Sequence, residues 1–332
     1  MSRQLLFLIA ALCPAFAQNG VIPAAIGYSE PPALQAAPGQ VITLFLYGVP
    51  SGTDGRLRSA EAAPGDLPTS LAGISVRVLP SGSPEVPAAI FSLRQREQCG
   101  LSGSITGDQS CLLTLVKIQF PFEFAGDLVL DDHGVYRYPL IALMSIDVDG
   151  RLGRRFPMQP IPDNGHILTT CDATWDTATP PEFCARQVYH SDGSLVTPAA
   201  PAHPGETLFL LYYGLGRTDQ TVPTGQVAPS GAGITELIPD HPRVTLGIET
   251  NFLNALSSSP RLPTNPDTAN ATPVPVVSGF LQPGQVGIYQ VNFTIPTVQG
   301  SIMDCGGEVL SNSILLATTS QGVESVALCV EP

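Results

Sequence analysis

Six cysteines carry the clearest chemistry in this sequence: Cys99, Cys111, Cys171, Cys184, Cys305 and Cys329. No C-x-x-C occurs among them and no histidine stands at finger spacing, so neither a zinc site nor a dithiol redox centre is expected. An even number of cysteines in an exported chain reads instead as disulfides. Connectivity stays open, but short loops close at the least entropic cost, which favours Cys99–Cys111, Cys171–Cys184 and Cys305–Cys329. Trp175, the single tryptophan, lies between Cys171 and Cys184. It reads as packing over that bridge, with an exposed binding aromatic as the alternative.

Other constellations are weaker. Asp147-Val148-Asp149-Gly150 could begin a calcium loop, yet neither a third acid nor a closing Glu follows at loop spacing, so it reads as an Asp-Gly turn. Asp131-Asp132-His133 is a second acidic cluster. Gly214-Leu215-Gly216 lacks the third glycine and the helix start of a nucleotide loop, and reads as a strand-ending turn. For hydrolysis a nucleophile needs a base and an orienter. There is no G-x-S-x-G, and His133, His166, His190, His203 and His241 show no H-E-x-x-H arrangement. Glu97, Glu123 and Glu206 read as surface charges. Tyr28, Tyr47, Tyr212, Tyr213 and Tyr289 fall mostly in expected strands, where a core or sheet-face role outweighs a glycan platform. No catalytic residue, metal or cofactor is assigned.

The elements that would position these residues are strands. The 332 residues include 33 prolines and 32 glycines, 43% are hydrophobic and 13% charged, a composition of many short strands between turns. A twelve-residue pattern occurs twice: Pro38-Gly39 leads through an apolar run to Gly48-Val49, and Pro204-Gly205 through another to Gly214-Leu215. Each reads as a buried strand ended by glycine. In the first half, strands are expected at 74–78, 86–93, 111–120, 128–130 and 140–146. Those of the second half are expected at 243–248, 273–278, 287–295 and 313–318, so strands recur in the same order. The fold expected is all-β, two tandem immunoglobulin-like β-sandwich domains, with a closed barrel as runner-up.

The amino terminus reads as a signal peptide over residues 1–17: Arg3, an apolar core from Leu5 to Leu12, then Ala15-Phe16-Ala17. The first sandwich is expected over 18–146, opening on a Pro/Ala-rich lead-in to Leu34. A disulfide-tied connector follows over 147–187, and the second sandwich over 188–332, with a long exposed loop at 256–272. Fifteen Lys and Arg stand against 28 Asp and Glu, a net charge of −13. That balance excludes nucleic acid and anionic membrane surfaces as partners. No transmembrane segment is expected once the leader is removed. Lys117 is the single lysine.

The stretch His190-Ser191-Asp192-Gly193-Ser194-Leu195-Val196-Thr197, then Pro204-Gly205-Glu206, Tyr213-Gly214-Leu215-Gly216 and Val222-Pro223-Thr224-Gly225, resembles the Solibacter-type uncharacterised C-terminal domain family. Gly279-Phe280-Leu281-Gln282-Pro283-Gly284-Gln285-Val286-Gly287-Ile288-Tyr289-Gln290-Val291-Asn292 and Ser311-Asn312-Ser313 match it in order, so the resemblance covers about residues 188–320. The first half is similar more weakly, through its Pro-Gly strand and Gln119-Phe120-Pro121-Phe122-Glu123. The resemblance implies an exported bacterial β-sandwich module and transfers no catalytic residue. The insertion at 256–272 and the Cys305, Cys329 pair depart from the family pattern. Together these readings give an exported, non-enzymatic protein, secreted, periplasmic or at the cell surface, that binds an unknown protein or glycan. The alternatives are a structural spacer of the envelope without a ligand and a secreted hydrolase whose site is assembled from loops.

Overall fold

The computed structural model describes residues 21–26, 34–80, 84–97, 112–124, 129–130, 136–137, 142–173, 185–236, 242–250, 271–297, 304–306 and 311–331. The expected signal peptide, Tyr28, Asp131 to His133, Cys99, Cys111, Trp175, Cys184, His241 and nearly all of 256–272 lie outside these residues.

The protein is all-β. Thr170–Ala173 is the one α-helix among the described residues. In the first half, one sheet runs in the order Ile22–Ile26, Val41–Tyr47, Leu112–Gln119, Ala89–Glu97, Ser59–Glu61. A second sheet runs Gln35–Ala36, Arg155–Pro160, Ala142–Val148, Ile74–Leu79, Ser70–Leu71, with Val86–Pro87 also on Ile74–Leu79. Their inner faces share one core that includes Leu44, Leu46, Ile90, Leu93, Val116 and Met144. The alternation is visible in Ile74–Leu79, where Ile74, Val76 and Val78 are buried and Ser75, Arg77 and Leu79 are half-buried.

The second half repeats the arrangement. His166–Ile167, Thr207–Tyr213, Tyr289–Thr294 and Val276–Leu281 form one sheet, with Tyr189–His190 also on Thr207–Tyr213. Thr272–Val274, Thr245–Thr250, Ser313–Thr319 and Gly322–Leu328 form the other. Between them lies a second core containing Leu210, Tyr212, Tyr289, Phe293, Leu315 and Val326.

The two copies of the Pro-Gly pattern occupy matching places. Val41–Tyr47 and Thr207–Tyr213 have the same length, begin after Gly39 and Gly205 at positive φ, and end at Gly48 and Gly214, also at positive φ. Gly39 N–H donates to the Phe120 carbonyl and Gly205 N–H to that of Ile295, so each turn is closed on the same neighbouring strand. In each half the edge of the second sheet is closed by a parallel pairing: Gln35–Ala36 on Arg155–Pro160, and Ala202 on Val330.

The lead-in and the connector, where no strand is expected, contain strands. The lead-in supplies Ile22–Ile26, an edge strand on Val41–Tyr47, where proline is tolerated because one row of N–H groups needs no partner. The expected connector supplies Arg155–Pro160 to the first sandwich and His166–Ile167 to the second. The turn between the halves, Pro162 to Gly165, is pinned on both sides. Arg243 Nη1 donates to the carbonyls of Pro162 and Leu215, and Asp163 Oδ1 accepts from the Ser320 N–H and hydroxyl.

The sandwiches are joined by their own side chains. Phe122 follows the strand Leu112–Gln119 of the first half's five-stranded sheet, yet its ring belongs to the core of the second half. Gln119 Oε1 accepts from the Gly225 N–H at 2.7 Å, and Leu67 N–H donates to the Gly225 carbonyl. Gly225 and Gly287 sit at positive φ, and a Cβ at either would stand 2.8 Å or less from Ala89 or Val41 of the other half. Glycine is needed here for close approach as well as for its backbone conformation.

Candidate functional site at the junction of the sandwiches

The densest group of titratable side chains lies where the connector meets the second sandwich. His166, on the short edge strand His166–Ile167, places Nε2 3.1 Å from Asp172 Oδ2 and Nδ1 3.3 Å from Glu324 Oε1. Asp172 comes from the helix Thr170–Ala173 and is held by the Thr169 N–H and hydroxyl. Glu324 comes from the edge strand Gly322–Leu328, on the opposite sheet. It crosses the open side of the sandwich to accept the Ile167 N–H at 2.6 Å and Arg186 Nη2 at 2.8 Å. A row of side chains thus closes an edge that backbone pairing leaves open.

The electrostatics follow from this geometry. Burial works to lower the His166 pKa, but the hydrogen bonds to Asp172 and Glu324, with their charges, outweigh it and raise it above the ordinary imidazole value. Burial likewise opposes ionisation of Asp172 and Glu324, and His166 holds both below the usual carboxylate range. With a carboxylate on each ring nitrogen the imidazolium is the favoured form. Neither nitrogen is presented as a base to an incoming group. The cluster borders a cleft of about 300 Å³, lined by His166, Arg186 and Glu324 together with Asn164, Thr319 and Gln321.

Lys117 joins this cluster to the first sandwich. It projects from Leu112–Gln119, and its Nζ donates to Tyr213 Oη and to the Asp172 carbonyl, each at 3.1 Å. The ammonium also lies over the rings of Phe91 and Tyr213, at 5.6 and 5.3 Å from their centroids. Burial lowers its pKa, and Asp172 partly restores it.

The residues singled out in the sequence are dispersed. Cys305 and Cys329 are joined in a disulfide spanning 24 positions, as expected for that pair. Cys171 is itself disulfide-bonded; Cys184, the partner expected for it, lies outside the described residues, as do Cys99, Cys111 and Trp175. Asp147 and Asp149 are both engaged by arginines. Asp147 accepts from Arg77 Nε and the Gly153 N–H, while Asp149 meets the Arg58 guanidinium with both oxygens. The Arg58 hydrogen bonds hold the Asp149 carboxyl below its usual range. Asp149 and Gly150 both have positive φ and make the hairpin turn between Ala142–Val148 and Arg151. Tyr212, Tyr213 and Tyr289 are buried, and Tyr289 Oη donates to the Gly216 carbonyl. His190 Nδ1 is 2.5 Å from Glu206 Oε1, a separate pair far from His166 in the sequence. Among the described residues no group of three or more His, Cys, Asp and Glu could hold a metal ion. No helix among them is long and apolar enough to cross a membrane.

Sequence reasoning missed the His166 cluster, because Glu324 lies 158 positions from His166 and no spacing rule connects them. The one signal available was Lys117, conspicuous as the single lysine.

The fold and site define an all-β protein of paired sheets with a charged junction. No family model matches the chain, and no curated protein is similar to it. Among solved structures, the chain is similar to the Yersinia pseudotuberculosis adhesin InvE, at 11% identity and a TM-score of 0.21, over 94% of this chain and 59% of that one. It is also similar to domains 4–9 of the surface layer protein SbsC, at 11% identity and a TM-score of 0.23, over 95% of this chain and 32% of that one. The chain thus spans less than two thirds of either structure.

Proposed function

We propose that the chain is an exported, non-enzymatic protein built from two immunoglobulin-like sandwiches, and that it binds a protein or glycan outside the cell. The observation that carries the non-enzymatic reading is the closure of the His166 cluster. Its strongest base faces carboxylates through both nitrogens, and those carboxylates are held by Arg186, Ile167 and Thr169. Such an arrangement fixes an edge of the fold and, although His166 borders the cleft, engages both of its ring nitrogens with carboxylates. The immunoglobulin-like assignment rests on strand order, a five-stranded antiparallel sheet facing a second sheet whose edge pairs in parallel, once in each half. The matching Pro-Gly strands support two copies of one module, and membership of the Solibacter-type family belongs to the same reading. Export rests on the leader-like residues 1–17 and on disulfides, which persist in oxidising compartments.

The test is binding of residues 18–332 to glycan arrays, protein arrays and whole bacterial cells. Reproducible capture on one of them is the expected result, and silence across all three leaves an envelope spacer instead. A panel of ester, peptide and glycoside substrates, run with and without calcium, covers the hydrolase alternative: turnover abolished by one carboxylate substitution would overturn the proposal.

A further inference from the structure

We infer that the turn joining the two sandwiches carries a proton-operated latch: Asp163 ties the turn down as the neutral acid, and loss of its proton loosens the tie. The latch belongs to the frame and does not depend on the binding proposed above. Asp163 lies between Arg155–Pro160, which completes the first sandwich, and His166–Ile167, which begins the second. It is fully buried. Oδ1 accepts the Ser320 N–H at 3.2 Å and the Ser320 hydroxyl at 2.8 Å, so the turn is held on the hairpin between Ser313–Thr319 and Gly322–Leu328. Oδ2 is buried as well, and among the described residues it has no hydrogen-bond partner.

A buried carboxylate is tolerated when its oxygens are satisfied and a cation pairs with it. Asp147, also buried, meets both conditions: one oxygen accepts the Gly153 N–H and the other Arg77 Nε. Asp163 has two bonds on one oxygen and none on the other. Arg243 is the charged side chain that acts on it, yet the guanidinium is directed to the Pro162 and Leu215 carbonyls through Nη1 and to the Thr235 hydroxyl through Nη2. Burial outweighs both Ser320 and Arg243 and raises the Asp163 pKa above the ordinary carboxylate value.

The two protonation states therefore treat the turn differently. The neutral acid keeps both Ser320 bonds on Oδ1 and carries its proton on Oδ2, with no charge held away from water. The carboxylate recovers hydration for Oδ2 only by turning outward, and that movement breaks both Ser320 bonds. Asn164, the next residue, donates its N–H to the Gly214 carbonyl at 2.7 Å, so loosening reaches the strand-ending turn of the second sandwich. Because the folded pKa is raised, the contribution is complete below the unfolded value of 3.8 and is lost as pH rises through the folded one. His166 and His190 give slopes of the same sign, so only comparison with a variant isolates Asp163.

The experiment compares residues 18–332 with the same chain carrying Asp163→Asn, which keeps the shape and cannot ionise. Amide hydrogen exchange is read as protection factors at about pH 4.5 and about pH 8. At the higher pH the Asn164 and Ser320 amides should be about tenfold better protected in the variant, the equivalent of one hydrogen bond. At the lower pH the two proteins should agree within about twofold. The wild-type carboxyl, followed by carbon-13 NMR, should titrate with a midpoint above 3.8, a readout that needs no variant to fold. Equal protection at the higher pH, or a midpoint at or below 3.8, overturns the inference. So does a gain in protection that is as large at Leu44, in the core of the first half, because global stability and not a latch would then have changed.

Discussion

Replacing His166 with glutamine removes one positive charge from between two carboxylates and keeps a polar side chain of similar reach. The imidazole is 12% exposed and each carboxylate 21%, so solvent screening is weak. Leaving one member of a buried ion pair uncompensated costs about 3–5 kcal/mol. Neither carboxylate is left so here. Glu324 keeps Arg186 and the Ile167 N–H, and Asp172 keeps the Thr169 N–H and hydroxyl. The expected loss is therefore below that range, about 2 kcal/mol, or a fall in midpoint of roughly 4–8 °C for a unit of about 150 residues.

The pH dependence distinguishes this interaction from simple loss of packing. The folded His166 pKa is raised, so its contribution is complete below the ordinary value of 6.5 and disappears as pH rises through the folded value. The folded Asp172 and Glu324 values are depressed below 3.8 and 4.5, so at the acid end the contribution is lost as pH falls through them. The difference in stability between wild type and His166→Gln should thus peak between about pH 4.5 and 6.5 and shrink as pH rises above that window. Urea denaturation followed by circular dichroism measures it. His190, raised above its ordinary value against burial by Glu206, gives the wild-type curve a slope of the same sign. Only the difference between the two proteins isolates His166. A difference that stays constant or grows with pH would refute the imidazolium argument.

Other perturbations address the frame around this cluster. Gly216→Ala would place a Cβ 2.0 Å from Arg243 Nη1 and 2.2 Å from the Pro162 carbonyl at a φ of +78°, and should cost about 3 kcal/mol. Gly193→Ala, at a φ of +87° with nothing within 4 Å, should cost only about 1 kcal/mol, and equal midpoints for the two would count against the close approach. Reducing the Cys305–Cys329 bridge reopens a loop of 24 positions and should lower stability by about 3 kcal/mol, with non-reducing peptide mapping confirming the pair. Phe122→Ala removes a ring of the first half from the core of the second and should cost about 3–4 kcal/mol. It should also split a single calorimetric transition into two, whereas one unbroken transition would mean that the ring does not couple the halves.

Much of the frame was legible because it depends on local rules. An apolar run between a Pro-Gly turn and a terminal glycine located Val41–Tyr47 and Thr207–Tyr213, and period-two alternation located Ile74–Leu79. Strands that depend on a neighbour were not legible. Ile22–Ile26 reads as Pro/Ala lead-in, and Arg155–Pro160 contains two prolines; each is a strand because another strand supplies its partners. The His166 cluster illustrates the same limit at the level of a site. Its four charged groups come from two strands, a helix turn and a connector, and only the closing of one sandwich edge brings them together.

The comparison of the halves shows where duplication ends and specialisation begins. Val41 pairs with Gln119 as Thr207 pairs with Thr294, so Gln119 matches Thr294 and, two residues earlier, Lys117 matches Asn292. Asn292 stays within its own sheet, bonded to Ser278 and Gln290. Lys117 and Gln119, at the matching places, reach across to Tyr213, Asp172 and Gly225 of the other half. Of Lys117 and Asn292, one side chain serves an interface and the other a sheet face, although the strands beneath them are alike. The loop Val222-Pro223-Thr224-Gly225 meets Gln119, Phe122 and Glu123 at that interface. A motif that reads as part of a single module therefore acts here between two.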